Sequence, residues 1–174
     1  MTCAIEVRAV ERNELDLLDK NYPEKGRPQS RHRVRWSLQR RGFGTYLIAW
    51  RSDHPVGWVS VHRPGSGAAS EHARRFNAGE IEDLFIDERF RGNGYGSSLL
   101  MAAEQTAREI GWVRLGLEIT ASNPHNDIAR AMYERHGYRD SGVGEFESGY
   151  FYWTESGERL WDGEPHRFLI RSLR

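Results

Sequence analysis

The chain holds one cysteine, few prolines and no long apolar run, and neither sign of charge is in excess. A lone thiol, Cys3, excludes an intrachain disulfide and suits a reducing cytoplasm. At the chain start it reads as a small residue, not a nucleophile. No apolar stretch approaches the roughly 20 residues of a spanning helix, and no signal peptide is read at the start, so no membrane partner is expected. The 25 Lys and Arg balance 25 Asp and Glu, which removes any global electrostatic argument for nucleic acid. No H-x-x-x-H or C-x-x-C spacing occurs among the seven histidines and the cysteine, so no metal site is expected. What remains is one soluble domain by length, residues 1–174, without internal repeats and large enough for a real core.

Glycine, by contrast, is concentrated at an informative place. Arg91-Gly92-Asn93-Gly94-Tyr95-Gly96 lies between the strand-like Glu80–Ile86 and the helix-like Ser97–Glu104. Glycines at alternate positions let a backbone aim several N–H groups at one point. A helix starting there adds first-turn donors and the positive end of its dipole, a combination suited to phosphate. A P-loop would need Lys and Ser/Thr after the last glycine, and Ser97-Ser98 follows instead. A dinucleotide fingerprint would need G-x-G-x-x-G and a longer series of strand–helix units. The six residues do match, at each required place, the R/Q-x-x-G-x-G/A loop that holds the pyrophosphate of coenzyme A.

Downstream, Leu115–Thr120 reads as a second strand, followed by Asn126-Asp127-Ile128-Ala129-Arg130-Ala131-Met132-Tyr133 and Gly137-Tyr138. From about Glu80 to Tyr138 the sequence resembles the GNAT superfamily of acyl-CoA-dependent N-acetyltransferases. That family pairs such a loop with N-x-x-A-x-x-x-Y-x-x-x-G-[FY]. Asn126, Ala129, Tyr133, Gly137 and Tyr138 occupy those places. One departure is the three residues Pro124-His125-Asn126, which lengthen the join after Leu117–Asn123. Asn126 therefore takes the motif role, and Asn123 is read as a helix cap with Pro124 at the first helical position.

The resemblance implies an α/β fold, a mixed and mostly antiparallel sheet of six to seven strands flanked by about four helices and splayed between the two motif strands. It implies acetyl-CoA as co-substrate and direct acetyl transfer to a primary amine in a cytoplasmic enzyme. A small-molecule acceptor is preferred. A peptide or protein amine, or a non-catalytic CoA-binding sensor, are the alternatives, and a homodimer is compatible with it. Tyr133 is implied as general acid or hydrogen-bond donor to the departing sulfur; an ordinary phenol, with a pKa of about 10, keeps its proton at neutral pH. The pyrophosphate is expected on Arg91, Gly92, Asn93, Gly94, Tyr95, Gly96 and Ser97. The pantetheine arm is expected beside the backbone of Phe85 and Ile86, with Asn126 orienting it.

The general base is less legible. Glu80 and Glu82 share one strand face by the two-residue period, Asp83 lies on the other, and Glu118 sits on the next strand. Glu82 is favoured and Glu118 second, with pairing to arginine as the structural explanation for any of them. The acceptor is expected between Tyr22–Gly42, the loop before Glu80, and Glu145–Trp161. Acids interleaved with aromatics in the last segment suit a cation. Arg27, Arg31, Arg33, Arg35, Arg40 and Arg41 suit an anion, or simply a wet helix face.

Elsewhere, strands are expected at Ile5–Val10, Thr45–Arg51 and Val56–His62, with closing strands near Gly149–Trp153 and Arg167–Ile170. Helices are expected from Asn13, as a cap, through Leu18, and over Gln29–Arg40. After the glycine loop, Leu99, Leu100, Ala103, Ala107 and Ile110 share one helix face, with Glu104 wet and Gly111 ending the helix. Arg63–Ala78 reads as a mobile loop.

Overall fold

β-Branched and aromatic residues dominate Gly44–Arg51 (β2) and His54–His62 (β3), and these pair as a tight antiparallel hairpin through Ser52-Asp53, with Ser52 at φ +53°. The computed structural model describes residues 5–122 and 126–174. The remaining strands are Glu6–Ala9 (β1), Gly79–Ile86 (β4), Arg114–Thr120 (β5), Arg139–Trp153 (β6) and Arg159–Ser172 (β7). They form one seven-stranded sheet in the order β1-β2-β3-β4-β5-β7-β6. Every neighbouring pair is antiparallel except β4 and β5.

That one parallel pair is very short. It consists of Gly79 opposite Leu115 and Glu80 opposite Gly116, after which the strands part. Both seam glycines are needed for close approach. A Cβ on Gly79 would lie 3.0 Å from the Trp112 ring, and one on Gly116 only 2.2 Å from that of Phe168. Further along, Val59 of β3 faces both Asp83 and Leu84, a bulge in which Asp83 takes φ +58°.

Five α-helices are present among the described residues: Leu15–Asn21 (α1), Arg31–Arg40 (α2), Ala68–Arg75 (α3), Tyr95–Ile110 (α4) and Asp127–Arg135 (α5). None is long and apolar enough to cross a membrane. Helix α3 corrects the expectation of a loop through Arg63–Ala78. Its Ala69 and Ala73 pack on Phe168, a spacing too short and too small in side chain to stand out in sequence. The entry to α1 also differs. Glu11, not Asn13, caps a 3₁₀ turn over Arg12–Glu14 through a reciprocal capping box with Glu14. The cap assigned to Asn123, and Cys3, lie outside the described residues; α5 begins at Asp127 with Asn126 at its cap.

Helix α4 starts at Gly94 and ends at Gly111, both with positive φ. Leu99, Leu100, Ala103 and Ala107 are fully buried against Leu115 and Leu117, each larger side chain stabilising by about 1.5–3 kcal/mol. Two expectations fail on this helix. Ile110 is half exposed at the last turn, whereas Glu104 is buried and ion-paired with Arg171 of β7. A charge inward is tolerated there because the partner arrives from a strand distant in sequence.

Candidate active site

Where β4 and β5 separate, a cleft of about 670 Å³ opens on the sheet. Glu80, Glu82, Asp83, Glu118 and Tyr133 all border it, so the structure brings together the four candidate carboxylates and the candidate acid. The three segments expected around the acceptor each contribute: α2 through Arg35 and Leu38, the chain before β4 through Gly65–Ser70, and β6 through Ser148 and Gly149. The aromatic side chains of β6 do not join them. Tyr150, Tyr152 and Trp153 border a separate depression with Arg27, which stacks on Trp153.

The carboxylates differ in their surroundings. Glu82 accepts two bonds from the Arg35 guanidinium, at 2.6 and 2.8 Å, and one from His62 Nε2 at 2.9 Å. Burial acts to raise its pKa, but these partners outweigh it and hold the carboxyl well below the usual carboxylate range. Such a group anchors cations and takes up protons poorly. Asp83 is engaged by Arg31 and by Trp58 Nε1, each at 3.2 Å, yet burial still leaves its pKa raised. Arg31 and Arg35 therefore turn inward to the sheet, correcting their reading as part of a solvated helix face. Glu80 is different again. It is buried, and burial pushes its proton affinity up, only partly offset by the bond from Ser70 Oγ at 2.6 Å. Glu118 has one oxygen, Oε2, sealed from solvent without a hydrogen-bond partner among the described residues.

His62, Arg63 and Ser70 were not singled out by sequence. His62 stands opposite Glu80 in the β3–β4 register. Its Nδ1 faces the Arg63 carbonyl at 2.8 Å and its Nε2 faces Glu82, so both ring nitrogens meet acceptors. Only the imidazolium satisfies both. Accordingly its pKa is raised, because the bond to Glu82 outweighs the lowering effect of burial. Strand register, which no short motif encodes, was the missing signal.

Tyr133 is buried, touches Tyr138 edge-on with ring centroids 5.9 Å apart, and holds its proton more tightly than an ordinary phenol because of desolvation. One turn-neighbour, Met132, lies against Gly96: a Cβ there would sit 3.1 Å from Met132 Sδ and 3.9 Å from Ile86. Gly96 thus joins the start of α4, the end of β4 and α5 at one point. Gly92 and Gly94 have φ of +78° and +79°, and a Cβ on either would meet nothing within 4 Å. Their glycine identity serves the turn and leaves the mouth of α4 open, which fits an incoming phosphate. Arg91 is exposed and ties back to the Ile86 carbonyl at 3.0 Å, while Asn93 braces the turn through the carbonyls of Phe90 and Arg91. Phe85 stacks on Trp58, 4.2 Å between centroids, and fixes the end of β4. The Asn126 amide donates to Thr120 Oγ1, joining α5 to the end of β5 at the cleft.

Residues 12–138 match the Acetyltransferase (GNAT) family, and the chain belongs to that family. Over 88 residues it is 35% identical to the uncharacterized N-acetyltransferase YycN of Bacillus subtilis, covering 51% of this chain and 50% of that one. Over 99 residues it is 33% identical to the aminoalkylphosphonate N-acetyltransferase of Salmonella typhimurium, covering 55% and 57% respectively. The chain thus spans about half the length of these curated relatives. In fold it is similar to yncA of Salmonella typhimurium, solved with its cofactor acetyl-CoA, with a TM-score of 0.65 over 98% of this chain and 95% of that one at 14% identity.

Proposed function

We propose that the chain transfers an acetyl group directly from acetyl-CoA to the primary amine of a small molecule. The observation that carries this reading is the parting of β4 and β5 beside the open mouth of α4, with Tyr133 and the carboxylates bordering the same cleft. When bound, acetyl-CoA supplies an acyl group activated as a thioester. The backbone of Arg91–Ser97 holds its pyrophosphate, aided by the charge of Arg91, and the edge of β4 at Phe85 and Ile86 faces its pantetheine arm with Asn126.

Glu80 is the proton acceptor best suited by its surroundings, since its raised pKa moves it toward the range where a base works at neutral pH. It takes the proton that the amine gives up as nitrogen bonds to the acetyl carbon. Tyr133 donates a hydrogen bond to the sulfur as the carbon–sulfur bond breaks. A phenol this strongly protonated stabilises a thiolate by that bond and keeps its proton. Glu82 holds Arg35 and His62 in place, and Glu118 offers a second carboxylate to the arriving ammonium. Helix α3 borders the acceptor side through Ser70, and the acceptor read there is a small molecule. One relative's printed activity, acetylation of an aminoalkylphosphonate, is of this kind.

The test is thiol release from acetyl-CoA with a mixed panel of amines and peptides, with CoA binding followed in parallel. Turnover with small amines is expected. Turnover with peptides alone would move the reading to protein acetylation and Glu118, and binding without turnover would leave a CoA sensor.

A further inference from the structure

The cleft is polar in a segregated way. On its floor, Glu80 and Glu118 carry carboxylates that form no ion pair with Lys or Arg among the described residues, and Glu118 Oε2 is buried without a donor. On its rim, Arg35, Glu82 and His62 form a cluster in which two cations share one anion. Beside it stands Arg63, which also borders the cleft. Its backbone is fixed at both ends, the N–H donating to Phe43 at 3.0 Å and the carbonyl accepting from His62 Nδ1 at 2.8 Å. Its guanidinium makes no ion pair or hydrogen bond among the described residues.

Rim and floor lie close together. His62 is directly opposite Glu80 in the strand register, so these two strand positions are one strand spacing apart, ~5 Å. Ser70 ties the turn at Gly65 to Glu80, since its hydroxyl accepts from the Gly65 N–H at 2.9 Å and donates to Glu80 at 2.6 Å. A donor is wanted at Glu118 and an acceptor at Arg63, and both residues border the one cleft. A long polyamine would instead press its second ammonium against Arg63 and the His62 imidazolium.

We infer that the acceptor is a short zwitterion, a primary amine separated by a few carbons from a carboxylate or phosphonate, with Arg63 selecting the acidic group. The inference rests on the acetyl-transfer reading and assigns its substrate class. Guanidinium is suited to either acid because it can grip two oxygens at once.

The experiment compares β-alanine, aminoethylphosphonate, propylamine and spermidine as acceptors for the full chain and for Arg63→Gln. The acidic amines should exceed propylamine in kcat/KM by at least about tenfold, the scale of one charge-assisted bond. The first two probes identify which acid is preferred. In R63Q that ratio should collapse toward unity, mainly through KM, while CoA binding by calorimetry shows that the variant is folded. The same acidic amines should raise the melting temperature of the wild type in the presence of CoA, and should lose that effect in R63Q. Wild-type preference for propylamine or spermidine, a ratio unchanged in R63Q, or no stabilisation by either acidic amine would each overturn the inference. Turnover with those other amines would leave the transferase reading standing, whereas loss of CoA binding and of turnover with every amine would remove both.

Discussion

Replacing Gly94 with valine should separate the fold from its grip on the cofactor. Gly94 has φ +79° at the cap of α4, and a Cβ built there meets nothing within 4 Å. The folding cost is therefore confined to the backbone, about 1–2 kcal/mol for a left-handed residue with a side chain. In a chain of this size that lowers Tm by roughly 2–8 °C. The effect on CoA should be larger, because the new side chain fills the space into which α4 directs its positive end. Losing two charge-assisted N–H bonds to phosphate, at about 1.5–3 kcal/mol each, weakens binding by roughly two to four orders of magnitude. Calorimetric titration with CoA, run beside thermal unfolding, measures both effects. Gly96→Ala is the internal control. Its N–H is retained, its Cβ is crowded only by the flexible end of Met132 with Ile86 at ordinary contact distance, and its affinity should stay close to wild type. If Gly94→Val binds CoA as tightly as the wild type, the loop is not the phosphate site.

Tyr133→Phe should lower kcat by about a hundredfold or more while leaving the KM for acetyl-CoA nearly unchanged, as read by thiol release; unaltered kcat would remove the hydroxyl from the reaction. Ser70→Ala deletes a bond that favours ionised Glu80, so the rising acid limb of kcat/KM should move to higher pH, with Ser70→Thr restoring it. A limb that stays in place would mean that Glu80 is not the base. The folded-state pKa of Glu82 lies below its ordinary 4.5, so its contribution to stability is complete above that value and is lost as pH falls further. Glu82→Gln should lack this loss in acid while being less stable at neutral pH by about 1–2 kcal/mol, the half-exposed pair being partly screened. Denaturant titrations at neutral pH and in acid would show both, and parallel acid curves for the two proteins would contradict the assignment.

The sheet, the two motif strands and the two glycine-ended helices were legible because each depends on local signals. β-Formers are concentrated in β2 and β3, and Gly94, Gly111 and Gly137 mark turns that only positive φ allows. Helix α3 was hidden because it is short, its buried face is only two alanines and a serine, and the glycines just before it read as loop. Within the site, the residue types were visible but their pairing was not. Glu80, Glu82 and Glu118 look alike along the chain. They become different only when β3 brings His62, α2 brings Arg35 and α3 brings Ser70, contacts across 20, 47 and 10 positions. The inward turn of Glu104 was missed for the same reason, since Arg171 lies 67 positions away.

The two-rung seam between β4 and β5 has a mechanical consequence. Four strands lie to one side of it and three to the other, and among the described residues strand pairing joins them only at Gly79–Leu115 and Glu80–Gly116. Trp112 and Phe168 each lie over a glycine of that seam and pack it closely. The angle between the two halves is thus set by side-chain packing, in the seam and in the core that Leu47, Leu99 and Leu117 share across it. Glu80 sits in the seam itself, so a molecule that wedges the halves apart or draws them together would also change the surroundings of the proposed base. Cofactor binding and proton uptake would then be coupled through one lever whose short arm is a single residue pair.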